Sequence, residues 1–542
     1  MQLLSRKAVP VLIGIIIVAI SVTALLPEKT KFLRFEANVG KTEQYRLDMR
    51  TRILDINNRD WQISDTASLH SILHYRVDKT DSDINVRVVP QALTFSFNES
   101  VQFSSSNPKR NLEKPVRKLI SSGFDQTMNR KTGRTTVSAK QENRDLHEES
   151  RQLVEQLQQV ILSPVVNWAL PMVEGKSVTL NSFQNIPSLV LKVDSIDENS
   201  ITVDITKETK APADALPVMG HDPSLKVRWS EVNGRMRISR DDGWIENLVL
   251  ITTQKAVTGS PSKEIDTTLV LRRKSELVVG STDDFLAPFE MATFLAENSG
   301  SYELSMSSTG EPPDFDFVGD PVAHTETAFA INPKDNSLEL ELDFVGPKDK
   351  VMGGLTAINS LTLMDKQGNK LNIPMMLRSI EPNYSGASEM NIYLVPLGWE
   401  KTDLSNISSI TAVMDYMPAV EPIPVTLPLA KDVTSIQQKN AQASATPTDE
   451  GWIIATRSSD RSYYILDQYA DYPGSSGRWS DKAFHDLKPS TELQLRRVDA
   501  PEAWYQQFVI KGNSDKFPLT YYQEPPEAEV RQVKLHFAKK PF

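Results

Sequence analysis

Apolar and polar residues alternate with a period of two over much of the first half of this chain. Residues 84–88 (INVRV) and 93–97 (LTFSF) are examples, and a hairpin pattern over 189–205 repeats the alternation around an Asp-Glu-Asn turn. Such alternation places one face of a strand on a core and the other in water, and it is typical of antiparallel sheets. We therefore predict one large antiparallel β domain over residues 31–275.

A helical pattern interrupts these strands at residues 145–162. Apolar residues recur there every three or four positions, which predicts an amphipathic helix inserted in the domain. Pro164 follows and is expected to end it. Two arrangements fit this pattern: a curved sheet wrapped around the helix, and two sheets with the helix bridging them. The apolar stripe consists of Leu146, Leu153, Leu157, Val160 and Ile161.

The second half of the chain continues with strand patterns between less regular segments. A short apolar pattern behind a capping serine predicts a helical connector at 276–310. Strand patterns at regular spacing predict a β-sandwich of immunoglobulin-like type at 311–431. Residues 432–450 are poor in large apolar side chains, so we expect a linker there. Residues 451–542 complete a mainly β fold as a small aromatic-rich β domain.

The N-terminal segment differs from everything that follows it. An apolar run of nineteen residues, Ala8–Leu26, comes after Arg6 and Lys7. About twenty apolar residues span a bilayer, so residues 1–30 predict a single-pass signal anchor that enters the membrane through segment 8–26. The basic residues before it predict a cytoplasmic N-terminus and place the bulk of the chain in the periplasm. The alternative is a signal peptide cleaved after Ala24, which leaves a periplasmic protein.

Composition narrows the compartment and the partners. The chain has 542 residues, no cysteine and a formal net charge of −10. The absence of cysteine excludes disulfides, thiol catalysis and cysteine-ligated metals. In an exported protein of this size it also favours a Gram-negative cell envelope, with the anchor in the inner membrane. The negative charge opposes nucleic-acid binding, which depends on clustered Lys and Arg.

Motifs that would carry catalysis or hold a cofactor are missing from the sequence. It contains no Gly-x-Ser-x-Gly nucleophile turn and no glycine-rich phosphate loop. His70 and His74 have the spacing of zinc ligands on a helix, but their surroundings predict a strand, on which four residues span about 13 Å. We therefore predict no catalytic residue, no cofactor and no metal ligand.

Aromatic residues are concentrated at the C-terminal end. The last 92 residues hold 15 of the chain's 40 aromatic residues. A domain with few aliphatic residues must build its core from aromatic ones, so we expect most of them to be buried. The loop at 471–479 is the place where a ligand would bind, because exposed Trp and Tyr stack on sugar rings or form interfaces. The candidate ligand-binding residues are Tyr472, Trp479, Trp504 and Tyr505.

These features together predict a membrane-anchored envelope protein that binds or scaffolds another protein, a glycan or a lipid. One alternative is a hydrolase of envelope polysaccharide, which would need two carboxylates about 5–10 Å apart. A second is a periplasmic carrier of a lipid or lipoprotein, because a curved sheet around a helix can enclose an apolar ligand and resembles periplasmic lipoprotein carriers in architecture. A third is a subunit of a membrane complex, recruited by the apolar helix.

Overall fold

The computed structural model describes most of the strand-forming part of the chain. The described residues are 32–36, 38–57, 60–81, 83–98, 100–105, 114–130, 135–139, 154, 157, 161, 163–165, 168–183, 186–208, 227–256, 262–274, 316–317, 325–334, 336–344, 350–351, 354–382, 389–399, 401–417, 423–439, 441–449, 451–457, 462–466, 505–511, 515–523 and 531–540.

Strands dominate these residues. Those of the first half, with one helix among them, are β1 (Phe32–Leu33), β2 (Thr42–Asn57), β3 (Asp60–Thr80), β4 (Asp83–Phe97), β5 (Ser100–Ser104), α1 (Lys114–Ser122), β6 (Phe124–Asn129), β7 (Thr135–Ala139), β8 (Leu170–Pro171), β9 (Ser177–Phe183), β10 (Ile186–Ile196), β11 (Ser200–Lys207), β12 (Val227–Ser239), β13 (Ile245–Ala256) and β14 (Ser262–Lys274). Those of the second half are β15 (Asp316–Phe317), β16 (Thr325–Asn332), β17 (Ser337–Phe344), β18 (Lys350–Val351), β19 (Gly354–Met364), β20 (Lys370–Leu371), β21 (Met375–Pro382), β22 (Glu389–Pro396), β23 (Ser409–Met417), β24 (Ile423–Pro428), β25 (Thr434–Gln438), β26 (Ala441–Thr448), β27 (Gly451–Arg457), β28 (Ser462–Leu466), β29 (Tyr505–Lys511), β30 (Lys516–Gln523) and β31 (Arg531–Lys539).

One large sheet of twelve strands contains most of the first half. Its order is β7-β6-β4-β3-β2-β14-β13-β12-β11-β10-β9, with β5 also paired to β4, and its pairings are antiparallel. The strands β2 and β14, far apart in sequence, lie side by side with Met49 opposite Leu269. The predicted fold class is confirmed to this extent: the protein is mainly β and is built from several antiparallel sheets.

One face of the large sheet carries the main apolar core. In β4 every second residue from Ile84 to Pro90 is buried, which is the alternation that the sequence shows. The same cluster of buried residues takes in Val116, Leu119 and Ile120 of α1. The apolar face of the sheet therefore packs against residues of this helix; the arrangement predicted for the helix at 145–162 stays a prediction.

Helix α1 occupies a region for which the sequence pattern predicts no helix. Its Pro115 falls in the first turn, where a missing N–H costs nothing. Gly123 ends the helix at a φ of +87°, and a Cβ at that position would lie 2.6 Å from the carbonyl oxygen of Val88. Only glycine fits this junction between helix and sheet.

The second sheet has eight strands in the order β20-β19-β23-β31-β16-β17-β22-β21. Its core includes Phe329, Leu340, Ile392 and Phe537. The β structure predicted for 311–431 is present and fits a β-sandwich. Its described strands lie in this sheet, in the pair β15–β18 and, for β24, in a third sheet, and β16 and β31 run parallel. The immunoglobulin-like type stays a prediction.

A third core lies between two smaller sheets, β24-β30-β28 and β25-β26-β27-β29. Tyr464, Phe517 and Tyr521 are buried in it, and the rings of Tyr464 and Tyr521 are 5.4 Å apart. Aromatic residues therefore do supply core volume in the C-terminal region. The last strand, β31, does not join these sheets: it pairs with β23 and β16 of the second sheet, which corrects the prediction that residues 451–542 form one separate domain.

The predicted linker at 432–450 is also corrected. Within it β25 and β26 form an antiparallel hairpin, and three alanines that alternate with polar residues are fully buried in the third core. Small side chains allow a neighbouring strand to approach closely. A segment whose composition is typical of a linker therefore forms a strand in this protein. The three residues are Ala441, Ala443 and Ala445.

Several predictions concern residues outside the described ones. They include the signal anchor at 1–30, the connector at 276–310 and most of the helix at 145–162. Within the last range, Val154 and Leu157 are described, and both are helical and buried. In the part of the chain that the structure describes, no helix is long and apolar enough to cross a membrane.

Candidate functional site inside the large sheet

A segment between β7 and β8 crosses the apolar face of the large sheet. Leu157 is buried, and its carbonyl accepts a hydrogen bond of 3.0 Å from the amide of Ile161. Gln126 of β6 donates to the Ile161 carbonyl at 3.2 Å, and the amide of Ile245 in β13 donates to the Pro164 carbonyl at 2.8 Å. Because β6 lies near one edge of the sheet and β13 near its middle, the described residues of this segment (154, 157, 161 and 163–165), which we call the crossing segment, connect these two parts of the sheet.

A small gap remains between the crossing segment and strands β2, β3 and β4. Its volume is about 10 Å³, which is about the room that one water molecule needs. The one polar residue of the lining is Ser71, whose hydroxyl donates to the Ala92 carbonyl at 2.8 Å. The gap therefore offers a bound molecule apolar contacts rather than charge. The apolar lining residues are Leu47, Leu69, Leu73, Pro90, Leu93, Leu157 and Ile161.

Aromatic side chains fill the interior at the end where the crossing segment meets β13. The hydroxyl of Tyr45 donates to the Ile245 carbonyl at 2.6 Å, and its ring lies edge-on to that of Tyr75, 5.2 Å away. Trp244 packs edge-on against Phe35, also at 5.2 Å. Burial raises the pKa of Tyr45 well above its usual value, so this hydroxyl keeps its proton and remains a donor.

A cluster of four charges lies beside the aromatic end. Arg273 contacts Glu43 at 2.5 Å and Asp242 at 3.1 Å, and Lys41 contacts Asp242 at 2.5 Å. Burial raises the pKa of Asp242, but hydrogen bonds from Lys41 and Ser239 outweigh it and bring the pKa below its usual value. The acid of a glycosidase needs a raised pKa, so Asp242 does not fit that role.

The opposite face of the same strands carries buried ionic groups. Asp48 is 1 % exposed and lies 2.6 Å from Nε of Arg46 and 2.7 Å from Nδ1 of His70. Burial raises the pKa of Asp48, but Arg46 and His70 outweigh it, so the net pKa is lowered. These groups alternate with Leu47 and Leu69 of the gap, so a slip of one residue in the strand register would turn the charges into the apolar core. His70 and His74 lie on strand β3, as the sequence predicts.

The predicted ligand-binding residues are not brought together by any described contact. Tyr472, Trp479 and Trp504 lie outside the described residues. Tyr505 belongs to β29, where it pairs with Arg457, and its side chain is outside the description. The ligand loop at 471–479 thus stays a prediction. Among the described residues, no three His, Asp or Glu side chains are grouped closely enough to hold a metal ion.

Sequence reasoning missed the residues that form the interior site. Ser71 and Leu93 appear in the sequence as ordinary members of strands. Pro90 carries a signal, because proline within a strand is confined to edges and bulges, and the register of β3 against β4 does shift here, between Ile72 and Leu73. The contact that Pro90 makes with Trp399, which lies more than 300 positions later in the chain, has no signal in a single sequence.

Comparisons with known proteins add little to this description. No protein-family model matches the chain, and no curated protein matches it. Among solved structures, one described as lipid–protein interactions in lipovitellin aligns at a TM-score of 0.29 and 11% identity, over 52% of this chain and 32% of that chain. Pseudomonas aeruginosa OccK8 (OprE) aligns at a TM-score of 0.11 and 7% identity, over 93% of this chain and 100% of that chain. The match to lipovitellin spans about a third of that protein, and at these scores neither likeness bears on the function of this chain.

Proposed function

We propose that this chain is an extracytoplasmic carrier that holds one long apolar chain, such as a fatty-acyl group, inside the large sheet. The observation that carries the proposal is the apolar gap between β2–β4 and the crossing segment. The gap lies between strands on one side and the crossing segment on the other, so a ligand could displace side chains of the crossing segment while the pairings of β2, β3 and β4 stay intact. This is therefore the place where we expect a ligand to be admitted.

A ligand needs more room than the gap provides, so it must replace side chains of the crossing segment. Exposing Val154, Leu157 and Ile161, which are all buried, costs about 1.5–3 kcal/mol each. An acyl chain gains about 0.8 kcal/mol for each buried CH₂, or about 11 kcal/mol for about fourteen of them. Replacement of these side chains by a ligand is therefore favourable for a long acyl chain and unfavourable for a short one.

Fatty-acid binding tests this function. Saturated fatty acids of increasing length, each kept below its micelle concentration, should bind the purified full-length protein with an affinity that rises about fourfold per added methylene. Ser71→Thr keeps the hydroxyl and places one methyl group in the water-sized gap, and it should weaken binding. Ser68→Thr is the matched control, because Ser68 pairs with Arg50 on the opposite face of β3. Equal binding by both variants, or affinity independent of chain length, would refute the interior site.

The compartment is part of the proposal. A carrier of this kind would be tethered through residues 8–26 in the inner membrane, with its N-terminus in the cytoplasm and its sheets in the periplasm. The support is the apolar run behind Arg6 and Lys7. An alkaline phosphatase fused after Phe542 should be active in intact cells, and an inactive phosphatase together with an active cytosolic reporter at the same position would overturn the placement.

A scaffold for other envelope proteins is the second candidate function. It is supported by the apolar cores that the described residues form outside the large sheet, because binding of an apolar chain inside that sheet does not require them. Affinity purification from membranes in mild detergent distinguishes the two candidates. A stoichiometric protein partner without bound lipid favours the scaffold, and bound lipid without a partner favours the carrier.

A further inference from the structure

The outer edge of β4 is interrupted beside the interior gap. Strand β6 pairs with β4 only as far as Val88, and β5 pairs with it only from Thr94. Within the described residues, no strand covers positions 89–92 on that side. We call this interruption the β4 notch. Pro90 lies in it and, having no N–H, cannot donate to a neighbouring strand.

Trp399 fills the β4 notch. It follows β22 of the second sheet, yet it belongs to the buried cluster of the large sheet. Its indole Nε1 donates to the Pro90 carbonyl at 2.7 Å, and the side chain is 8 % exposed. One hydrogen bond and one ring from a distant part of the chain thus occupy the place where a strand is missing.

The notch and the gap share a wall. Pro90, which lies in the notch, and Leu93, which follows it, both line the gap. Withdrawal of Trp399 would therefore open the edge of β4 beside Pro90, while the pairings of β4 with β3 stay intact. The other described sides of the gap are walled by β2, β3 and the crossing segment, whose removal would disrupt strand pairing or the core.

We propose that Trp399 is a plug that closes a lateral entrance to the interior site, and that it controls how fast an apolar chain enters and leaves. This inference rests on the proposed carrier function. It also gives the second sheet a role in binding. Trp399 follows β22 of that sheet, so a shift of the residues after β22 would withdraw the ring from the β4 notch.

Stopped-flow binding of a fluorescent polyene fatty acid to the full-length protein tests the plug. Trp399→Ala should raise the association and dissociation rates by about tenfold, because binding no longer waits for the ring to withdraw. Trp399→Phe keeps a ring but loses the donor to Pro90, and its rates should lie between those of the alanine variant and the wild type. Trp452→Ala is the matched control, since the Trp452 indole also donates to a backbone carbonyl, that of Ala430 at 3.1 Å, but in the third core.

The outcomes separate the two proposals. Unchanged rates in both Trp399 variants, with binding retained, overturn the plug and leave the carrier function standing. Absence of binding by the wild type and by every variant overturns both. If the alanine variant does not fold, the phenylalanine variant decides. Amide hydrogen exchange at residues 89–93 gives a second measurement, because loss of the plug should accelerate exchange there and leave the strand β3 protected.

Discussion

Leu157 provides the sharpest test of how the interior is packed. The side chain is 1 % exposed and lines the gap. Truncation of a buried leucine to alanine costs about 2–5 kcal/mol, with a dependence on residual cavity volume of about 24 cal/mol per Å³. The existing gap of about 10 Å³ alters that cost by only about 0.2 kcal/mol. Leu157→Ala should therefore lower the free energy of unfolding of the large sheet by about 3 kcal/mol.

The assay must follow the large sheet alone, because a protein with several cores need not unfold in two states. Hydrogen exchange of peptides from β2, β3 and β4 under increasing urea meets this need. The cavity left by Leu157→Ala joins the gap, and apolar cavities of about 150 Å³ are known to stay dry and bind benzene. Benzene at about ten times its Kd should restore about 1.4 kcal/mol.

Leu191→Ala is the control for this measurement. Leu191 is fully buried in the same core but does not line the gap, so the variant should lose a similar free energy and regain less of it with benzene. A loss below about 1 kcal/mol for Leu157→Ala would show that the crossing segment is not packed on the sheet. Equal rescue of both variants would show that the gap has no special capacity for ligands.

Three further predictions concern other parts of the molecule. The pKa of Asp48 is lowered in the folded state, so the stability that its ionised carboxylate contributes is complete above about pH 4 and is lost as the pH falls toward the folded pKa. The urea midpoints of the wild type and of Asp48→Asn should therefore converge below about pH 4. A difference in midpoint that does not change with pH would contradict the ion pair of Asp48 with Arg46. Gly123→Ala should lower the melting temperature far more than Gly40→Ala. Both glycines have a positive φ, but only a Cβ at position 123 would meet backbone atoms, those of Val88. Equal effects of the two substitutions would argue against the close approach of Gly123 to Val88. Ala443→Leu should destabilise the third core by about 1–3 kcal/mol through overpacking, measured by urea denaturation. Gln442→Leu, on the exposed face of β26, should be neutral in the same assay. If Ala443→Leu has no effect on stability either, the interpretation of 432–450 as a linker is restored.

The fold class follows from the sequence because its cause is local. Alternation in 84–88 and 93–97 is the direct imprint of a half-buried strand, and these residues lie in β4. The burial of Leu157 is equally local in origin, because it belongs to a stripe of apolar residues at helical spacing and such a stripe must be covered. In both cases the residues that decide the structure are neighbours along the chain.

Features that depend on distant residues could not be predicted. The hairpin of β25 and β26 uses alanines, which have low strand propensity and gain their burial from partners on β27 and in the third core. The site itself combines Pro90 with Trp399, two residues that nothing in their own surroundings links. A single sequence shows what each segment prefers, but it does not show which segments meet.

The position of β31 has a consequence for how the protein is made. This strand, near the end of the chain, is the one that joins β23 to β16 in the described part of the second sheet. A ribosome that has not yet released residues 531–539 therefore holds two partial sheets with unpaired edges, although the large sheet upstream already has all its strands. The second sheet can be completed only after residues 531–539 have left the ribosome, and a chain that lacks them would expose those edges to chaperones and proteases.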